Sequence, residues 1–130
     1  ENPSILSIAS DQLGVDCAPL ICTNGMPAAA QQTMLRQLVA CGAGLAYHGD
    51  FDWAGIRIGN FVMRELNASA WRFSALDYET ACAGFAGTLP EDERVEAVWD
   101  VRLGAEMSTQ RKAIHEEAVW EVLIGDLARR

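Results

Sequence analysis

The chain has 130 residues, a mass of 14.1 kDa and a formal net charge of −8 at pH 7. Half of its residues are hydrophobic, which is enough for a core of two or three layers, so we expect a single domain over residues 1–130. The negative charge opposes non-specific attraction to nucleic acid, because phosphate binding rests on lysine and arginine. No apolar run approaches the roughly 20 residues that span a bilayer, and no signal peptide is evident. We therefore expect a cytoplasmic protein that does not contact membranes.

The cysteines argue against a zinc ribbon or finger. They form no CxxC pair and have no paired histidines nearby, and they stand at Cys17, Cys22, Cys41 and Cys82. We expect buried, reduced thiols.

The first part of the chain alternates between predicted helices and predicted strands. Hydrophobic periodicity and turn residues predict, in chain order, a helix over 5–13, a strand over 19–23, a helix over 28–39, a strand over 44–48, a helix over 53–66 and a strand over 71–73. Ser4 is a suitable cap for the first helix and Gly14 a suitable stop. The alternation predicts an α/β fold with a mostly parallel sheet flanked by helices.

The pattern changes after Tyr78. Gly84, Gly87 and Pro90 predict a loop, and an acidic helical segment is predicted to open at 91–93. Apolar residues at helical spacing over 114–127 predict a last helix that packs on the sheet.

Two aspartates follow the predicted strand over 44–48. In an extended segment side chains alternate between faces, so Asp50 and Asp52 point the same way and Phe51 points the other way. Two carboxylates a few ångströms apart favour a proton or a cation between them, and oxygen ligands favour Mg²⁺ or Mn²⁺ over zinc. The alternative is that Asp52 only caps the helix that begins at Trp53.

Other residues near this edge have two interpretations each. His48 either shuttles a proton or orients a phosphate, or it is a core histidine with its hydrogen bonds satisfied. Arg57 contacts a phosphate or pairs with Asp52. The backbone amides of Asn24 and Gly25 meet a phosphate or form a plain turn.

Glu1 precedes a helix directly, as a residue at the carboxyl end of a strand does. We therefore expect a truncated first strand and a chain that is the C-terminal piece of a larger protein. Strands of a parallel sheet present ligands at their carboxyl ends, which places Glu1 at the same edge as Asp50 and Asp52. The alternative is a mobile residue whose α-amino group forms a salt link.

The ordered set of motifs resembles a known fold and family. The motifs are Glu1-Asn2-Pro3, Thr23-Asn24-Gly25, the block from His48 to Gly55, Trp71-Arg72, Trp99-Asp100, Glu116-Glu117 and Asp126-Leu127. The first three of them resemble the Toprim fold of topoisomerases, primases and related nucleases, including the Toprim domain of the topoisomerase VI A subunit. More narrowly, the motifs together resemble the C-terminal domain of the DUF2399 proteins, which are similar to the nuclease subunit of Wadjet-type anti-plasmid systems.

The resemblance implies metal-dependent cleavage of DNA. By that resemblance Glu1, Asp50 and Asp52 hold Mg²⁺ or Mn²⁺ at the scissile phosphate, and Glu116 or Glu117 reaches a second metal. A water nucleophile is the economical expectation, because Tyr47 lies inside a predicted strand and Tyr78 lies in a segment without any motif. The resemblance also implies an SMC-like ATPase complex as a partner. The acidic charge indicates that other regions of the full-length protein grip the DNA.

Two rival functions remain open at this stage. Haloacid-dehalogenase-like phosphatases also place two aspartates one residue apart after a strand, although Trp53-Ala54-Gly55 lacks the threonine that usually follows. The other rival is a non-catalytic domain that keeps the fold and serves assembly through its acidic C-terminal half.

Overall fold

A mixed α/β architecture is present in the computed structural model, which describes residues 1–84 and 87–128. Within those ranges there are six α-helices and a two-stranded sheet. In chain order they are α1 (Pro3–Leu13), α2 (Ala29–Ala40), β1 (Ala46–Tyr47), α3 (Trp53–Glu65), β2 (Ser69–Ala70), α4 (Ala75–Cys82), α5 (Leu103–Gln110) and α6 (Trp120–Leu127). None of these helices has the length and apolar character needed to cross a membrane.

The unit β1–α3–β2 confirms the predicted parallel pairing. Ala46 pairs with Ser69 and Tyr47 with Ala70. The Ser69 amide donates to the Leu45 carbonyl at 2.9 Å, and the Trp71 amide donates to the Tyr47 carbonyl at 2.8 Å. Parallel strands need a crossover, and α3 supplies it, so the residues after β1 and the start of α3 lie at the same edge.

The first helix begins two residues earlier than predicted. Asn2 is the N-cap, because its side-chain oxygen accepts from the Ser4 amide at 2.9 Å, and Pro3 then occupies the first helical position, where a missing amide costs nothing. Ser4 is therefore inside the helix. Gly14 ends it, as the sequence predicts, with a φ of +51°.

Two predicted strands are wrong. Residues 19–23 form no strand, because within the described ranges they have no strand partner, and apolar character alone does not make a strand. The second strand, β2, ends at Ala70, before the range predicted over 71–73. It ends there because Arg72 has a φ of +48° and turns the chain. The Arg72 guanidinium makes two bonds of 2.7 and 2.8 Å to Asp126, which stabilise that turn.

The C-terminal half also differs from the prediction. The acidic segment forms only a 3₁₀ turn over Glu91–Glu93, and the predicted last helix is a 3₁₀ turn over Glu116–Val119 followed by α6. Helices α4 and α5 were not predicted, because each has only eight residues, which is about two turns and too short to show a clear helical period. Part of the predicted loop between Gly84 and Gly87 lies outside the described residues.

The core is aromatic at its centre. The Phe51 ring lies 4.9 Å from that of Phe73 and 5.3 Å from that of Tyr78, and all three side chains are buried. A second, smaller cluster joins α1 to α6 through Ala9, Ile124 and Leu127. These contacts bring the two ends of the described chain together beside the sheet.

The cysteine prediction holds only in part. All four thiols are free, but only Cys82 is buried, and Cys41 is exposed at the end of α2. Cys17 and Cys22 are half-buried and lie between α1 and α2.

Candidate metal centre

Asp50 and Asp52 lie between β1 and α3 with their side chains on one face. Phe51, between them, is 1% exposed and points into the core. Asp50 Oδ1 accepts from the Glu116 amide at 2.8 Å, and Asp52 Oδ1 accepts from the Gly55 amide at 2.6 Å as the N-cap of α3. Each carboxylate is therefore oriented through its Oδ1 by a backbone amide, which leaves Oδ2 for contacts with other groups.

His115 is the third member of this site, and no sequence pattern singled it out. Its Nδ1 lies 3.4 Å from Asp50 Oδ2, and one ligand atom from each of Asp50, Asp52 and His115 lies within 4.8 Å of the other two. The hydrogen bond with Asp50 raises the pKa of His115 above its usual value. Two carboxylates and one imidazole are a donor set that fits a divalent cation.

Glu1 lies behind Asp50. Its Oε2 accepts from the Asp50 amide and from the Tyr47 hydroxyl, each at 3.2 Å. This approach requires Gly49, because a Cβ there would lie 2.6 Å from Glu1 Oε2. Burial, and then the charge of Asp50, raise the pKa of Glu1. Glu1 thus adjoins the site, but it is not part of the group formed by Asp50, Asp52 and His115.

Glu116 and Glu117 hold the first residues of the chain. Glu116 is buried and accepts from the Asn2 amide and from the α-amino group of Glu1, the latter at 3.2 Å. Burial raises the pKa of Glu116 to about 7. Glu117 is exposed and accepts from Asn2 Nδ2 at 2.6 Å. Of this pair, only Glu116 faces the interior beside Glu1 and Asp50.

His48 has the contacts of a core histidine. It is 4% exposed, its Nδ1 bonds the Trp71 carbonyl at 2.9 Å, and its ring packs 5.3 Å from that of Phe73. Its Nε2 has no hydrogen-bond partner within the described residues. Burial lowers the pKa of His48 to about 4, so the ring is neutral at physiological pH.

Asn24 and Gly25 form a turn beside Glu1, and Arg57 lies on the exposed side of α3. The turn has φ values of +52° and +97°, and the Gly25 amide donates to the Glu1 carbonyl at 3.3 Å. The Gly25 amide therefore already has a hydrogen-bond acceptor within the protein. No ion pair within the described residues includes Arg57, so its predicted pairing with Asp52 is not formed.

The fold and this site define a mixed α/β domain with a group of two carboxylates and one imidazole beyond the carboxyl end of a parallel strand. The sequence model of the family described as "Protein of unknown function C-terminus (DUF2399)" matches residues 1–127. The chain belongs to the DUF2399 family. No curated protein and no solved structure matches it.

Proposed function

We propose that this chain is a Toprim-like domain that hydrolyses DNA phosphodiester bonds with the help of Mg²⁺ or Mn²⁺. The observation that carries the proposal is the pair Asp50 and Asp52 directly after β1, each with its Oδ1 oriented by a backbone amide. The β1–α3–β2 unit supports a Toprim-like architecture, because it puts the acidic pair at the carboxyl edge of parallel strands.

The protein residues supply orientation and charge. Asp50 and Asp52 would hold the cation, while Glu1 positions the Asp50 backbone by accepting a hydrogen bond from its amide. A cation held there would supply Lewis-acid chemistry, polarising a phosphoryl oxygen and lowering the pKa of a water molecule. Glu1, which the resemblance implies as a ligand, instead supports Asp50 from behind, because its carboxylate accepts from the Asp50 amide and the Tyr47 hydroxyl.

Other regions of the full-length protein would grip the DNA in this proposal. The net charge of −8 and the concentration of carboxylates at the site disfavour tight DNA binding by this chain alone. The resemblance to the nuclease subunit of Wadjet-type systems supports an SMC-like ATPase complex as the partner that delivers the DNA.

Plasmid cleavage tests the proposal. Supercoiled plasmid is incubated with the protein at its full natural length and with Mn²⁺ or Mg²⁺, and nicked and linear products are measured. We expect cleavage that needs the cation and that disappears in Asp50→Asn and Asp52→Asn, since each removes a charged ligand but keeps the side-chain shape. Asp11→Asn is the matched control, because Asp11 is exposed on α1, far along the chain from the site.

The same preparations separate the rival functions. Turnover of a phosphate monoester without plasmid cleavage would favour a haloacid-dehalogenase-like phosphatase. Cleavage that persists in the Asp50→Asn/Asp52→Asn double variant would contradict the nuclease proposal. Cation binding without either activity would favour a domain that serves assembly.

A further inference from the structure

We infer that His115 completes the cation site, so that its protein ligands are Asp50, Asp52 and one imidazole nitrogen, and that the site therefore prefers Mn²⁺ to Mg²⁺. The role of the cation rests on the proposed function above. The ligand set itself is a separate claim, and it is tested by binding and spectroscopy.

The backbone places His115 opposite Asp50. The Phe51 amide donates to the Ile114 carbonyl at 2.8 Å, and the Ile114 amide donates to the Phe51 carbonyl at 3.1 Å, in an antiparallel bridge. Both of these side chains are 1% exposed and point into the core. Because side chains alternate along extended segments, their neighbours Asp50 and His115 face each other on the opposite side. Two main-chain hydrogen bonds thus set this juxtaposition.

The three ligand atoms are close to the spacing of a coordination shell. They lie within 4.8 Å of one another, and ligands bound at about 2.1 Å in an octahedral shell are roughly 3–4 Å apart. Small side-chain rotations close the difference. The His115 side chain is 55% exposed and that of Asp50 is 15% exposed, so the remaining coordination positions are open to water and to a phosphate.

Within the described residues, no arginine or lysine side chain forms an ion pair with Asp50 or Asp52. The four arginine–carboxylate pairs of the described residues lie elsewhere, and the imidazole of His115 is the only side-chain nitrogen paired with Asp50 there. Mg²⁺ favours oxygen ligands and gives up water reluctantly, whereas first-row transition ions accept imidazole readily. A site with one imidazole therefore favours Mn²⁺.

The experiment compares the unmodified protein with His115→Asn, which puts an amide group near the position of Nδ1. Mn²⁺ and Mg²⁺ are titrated separately by calorimetry, and the Mn²⁺ complex is examined by electron spin-echo spectroscopy for a directly bound nitrogen. We expect Mn²⁺ to bind more tightly than Mg²⁺, with a loss of about tenfold or more in Mn²⁺ affinity in the variant and a smaller loss for Mg²⁺. The nitrogen signal should be present in the unmodified protein and absent from His115→Asn.

The outcomes separate this inference from the proposed function. Mn²⁺ that binds without a nitrogen signal, or a signal that persists in His115→Asn, overturns the role of His115 and leaves the nuclease proposal standing. Absence of binding by either cation overturns both. Asp11→Asn should bind as the unmodified protein does, and circular dichroism checks that His115→Asn is folded, which we expect because the side chain is largely exposed.

Discussion

Gly55 lies against the backbone of Asp50, with no room for a side chain between them. A Cβ at this position would lie 2.0 Å from the carbonyl oxygen of Asp50, far inside van der Waals contact. The Gly55 amide also orients Asp52. A larger side chain at position 55 would therefore disturb the packing against Asp50 and the orientation of Asp52, which we propose as a ligand.

We expect Gly55→Ala to destabilise the protein by about 1–3 kcal/mol, because the backbone of Asp50 has to move. Cation affinity should fall as well. Gly125→Ala is the matched control: it lies in α6 with nothing within 4 Å of the added carbon, so it should stabilise by about 0.5–1 kcal/mol. Urea unfolding measures both effects, and equal stability of the two variants would contradict the packing argument.

His48 predicts a loss of stability in acid. Its folded pKa of about 4 is below the ordinary value of 6.5, because burial leaves a protonated Nε2 without a partner. The folded protein binds this proton less tightly than the unfolded chain does, so the free energy of unfolding is highest above pH 6.5. It decreases by about 3 kcal/mol in all as the pH falls toward 4. The free energy of unfolding between pH 7 and 4 measures this.

The variant His48→Asn distinguishes the contribution of His48 to the pH dependence of stability from that of the carboxylates. Asparagine keeps a donor near the position of Nδ1 but does not titrate, so the difference in stability between the two proteins should shrink as the pH falls. The raised pKa of Glu116 acts in the opposite direction in both proteins and cancels in that difference. A difference that stays constant from pH 7 to 4 would show that His48 does not titrate in this range.

At the scale of the element, the N-terminus of α3 is capped by Asp52, the same residue that we propose as a cation ligand. Asp52 caps the helix through the Gly55 amide, so one carboxylate serves both helix stability and the site. We expect Asp52→Asn to keep the cap and to unfold within about 0.5 kcal/mol of the unmodified protein, whereas Asp52→Ala should lose about 1 kcal/mol.

Cation binding and helix capping can therefore be measured apart. Both variants should lose cation affinity to a similar degree, because both remove the charge of Asp52. If Asp52→Asn binds Mn²⁺ as tightly as the unmodified protein, the residue is only a helix cap. Calorimetric titration beside urea unfolding gives both quantities on the same samples.

At the scale of the whole molecule, negative charge opposes folding around the site. Glu1, Asp50, Asp52, Glu116 and Glu117 come together in a protein of net charge −8. A divalent cation bound there stabilises the folded state by mass action, by about 2.7 kcal/mol at a concentration 100 times the dissociation constant.

Thermal unfolding with and without Mn²⁺ checks this expectation. The unfolding temperature should rise with Mn²⁺ and rise much less with NaCl at the same ionic strength, since general screening does not occupy a site. The double variant Asp50→Asn/Asp52→Asn should lose the response to Mn²⁺. An equal rise with both salts would indicate screening of the net charge and no specific site.

Local sequence patterns determined the spans of the helices next to the site. They also determined that the side chains of Asp50 and Asp52 lie on the same face of the chain. The spans of α2 and α3 are predicted within one or two residues, because caps and a 3.6-residue period are encoded by neighbouring residues. The alternation around Phe51 likewise predicts the common face of Asp50 and Asp52 before any contact is known.

Tertiary structure alone decided which distant residues meet these aspartates. Residues 19–23 look like a strand but lack a strand partner within the described part of the chain, and pairing is a property of two segments. His115 and Glu116 reach Asp50 only because Phe51 pairs with Ile114 across more than sixty residues of sequence. No local period encodes that pairing, since it depends on how α4, α5 and the aromatic core bring the late segment back to β1.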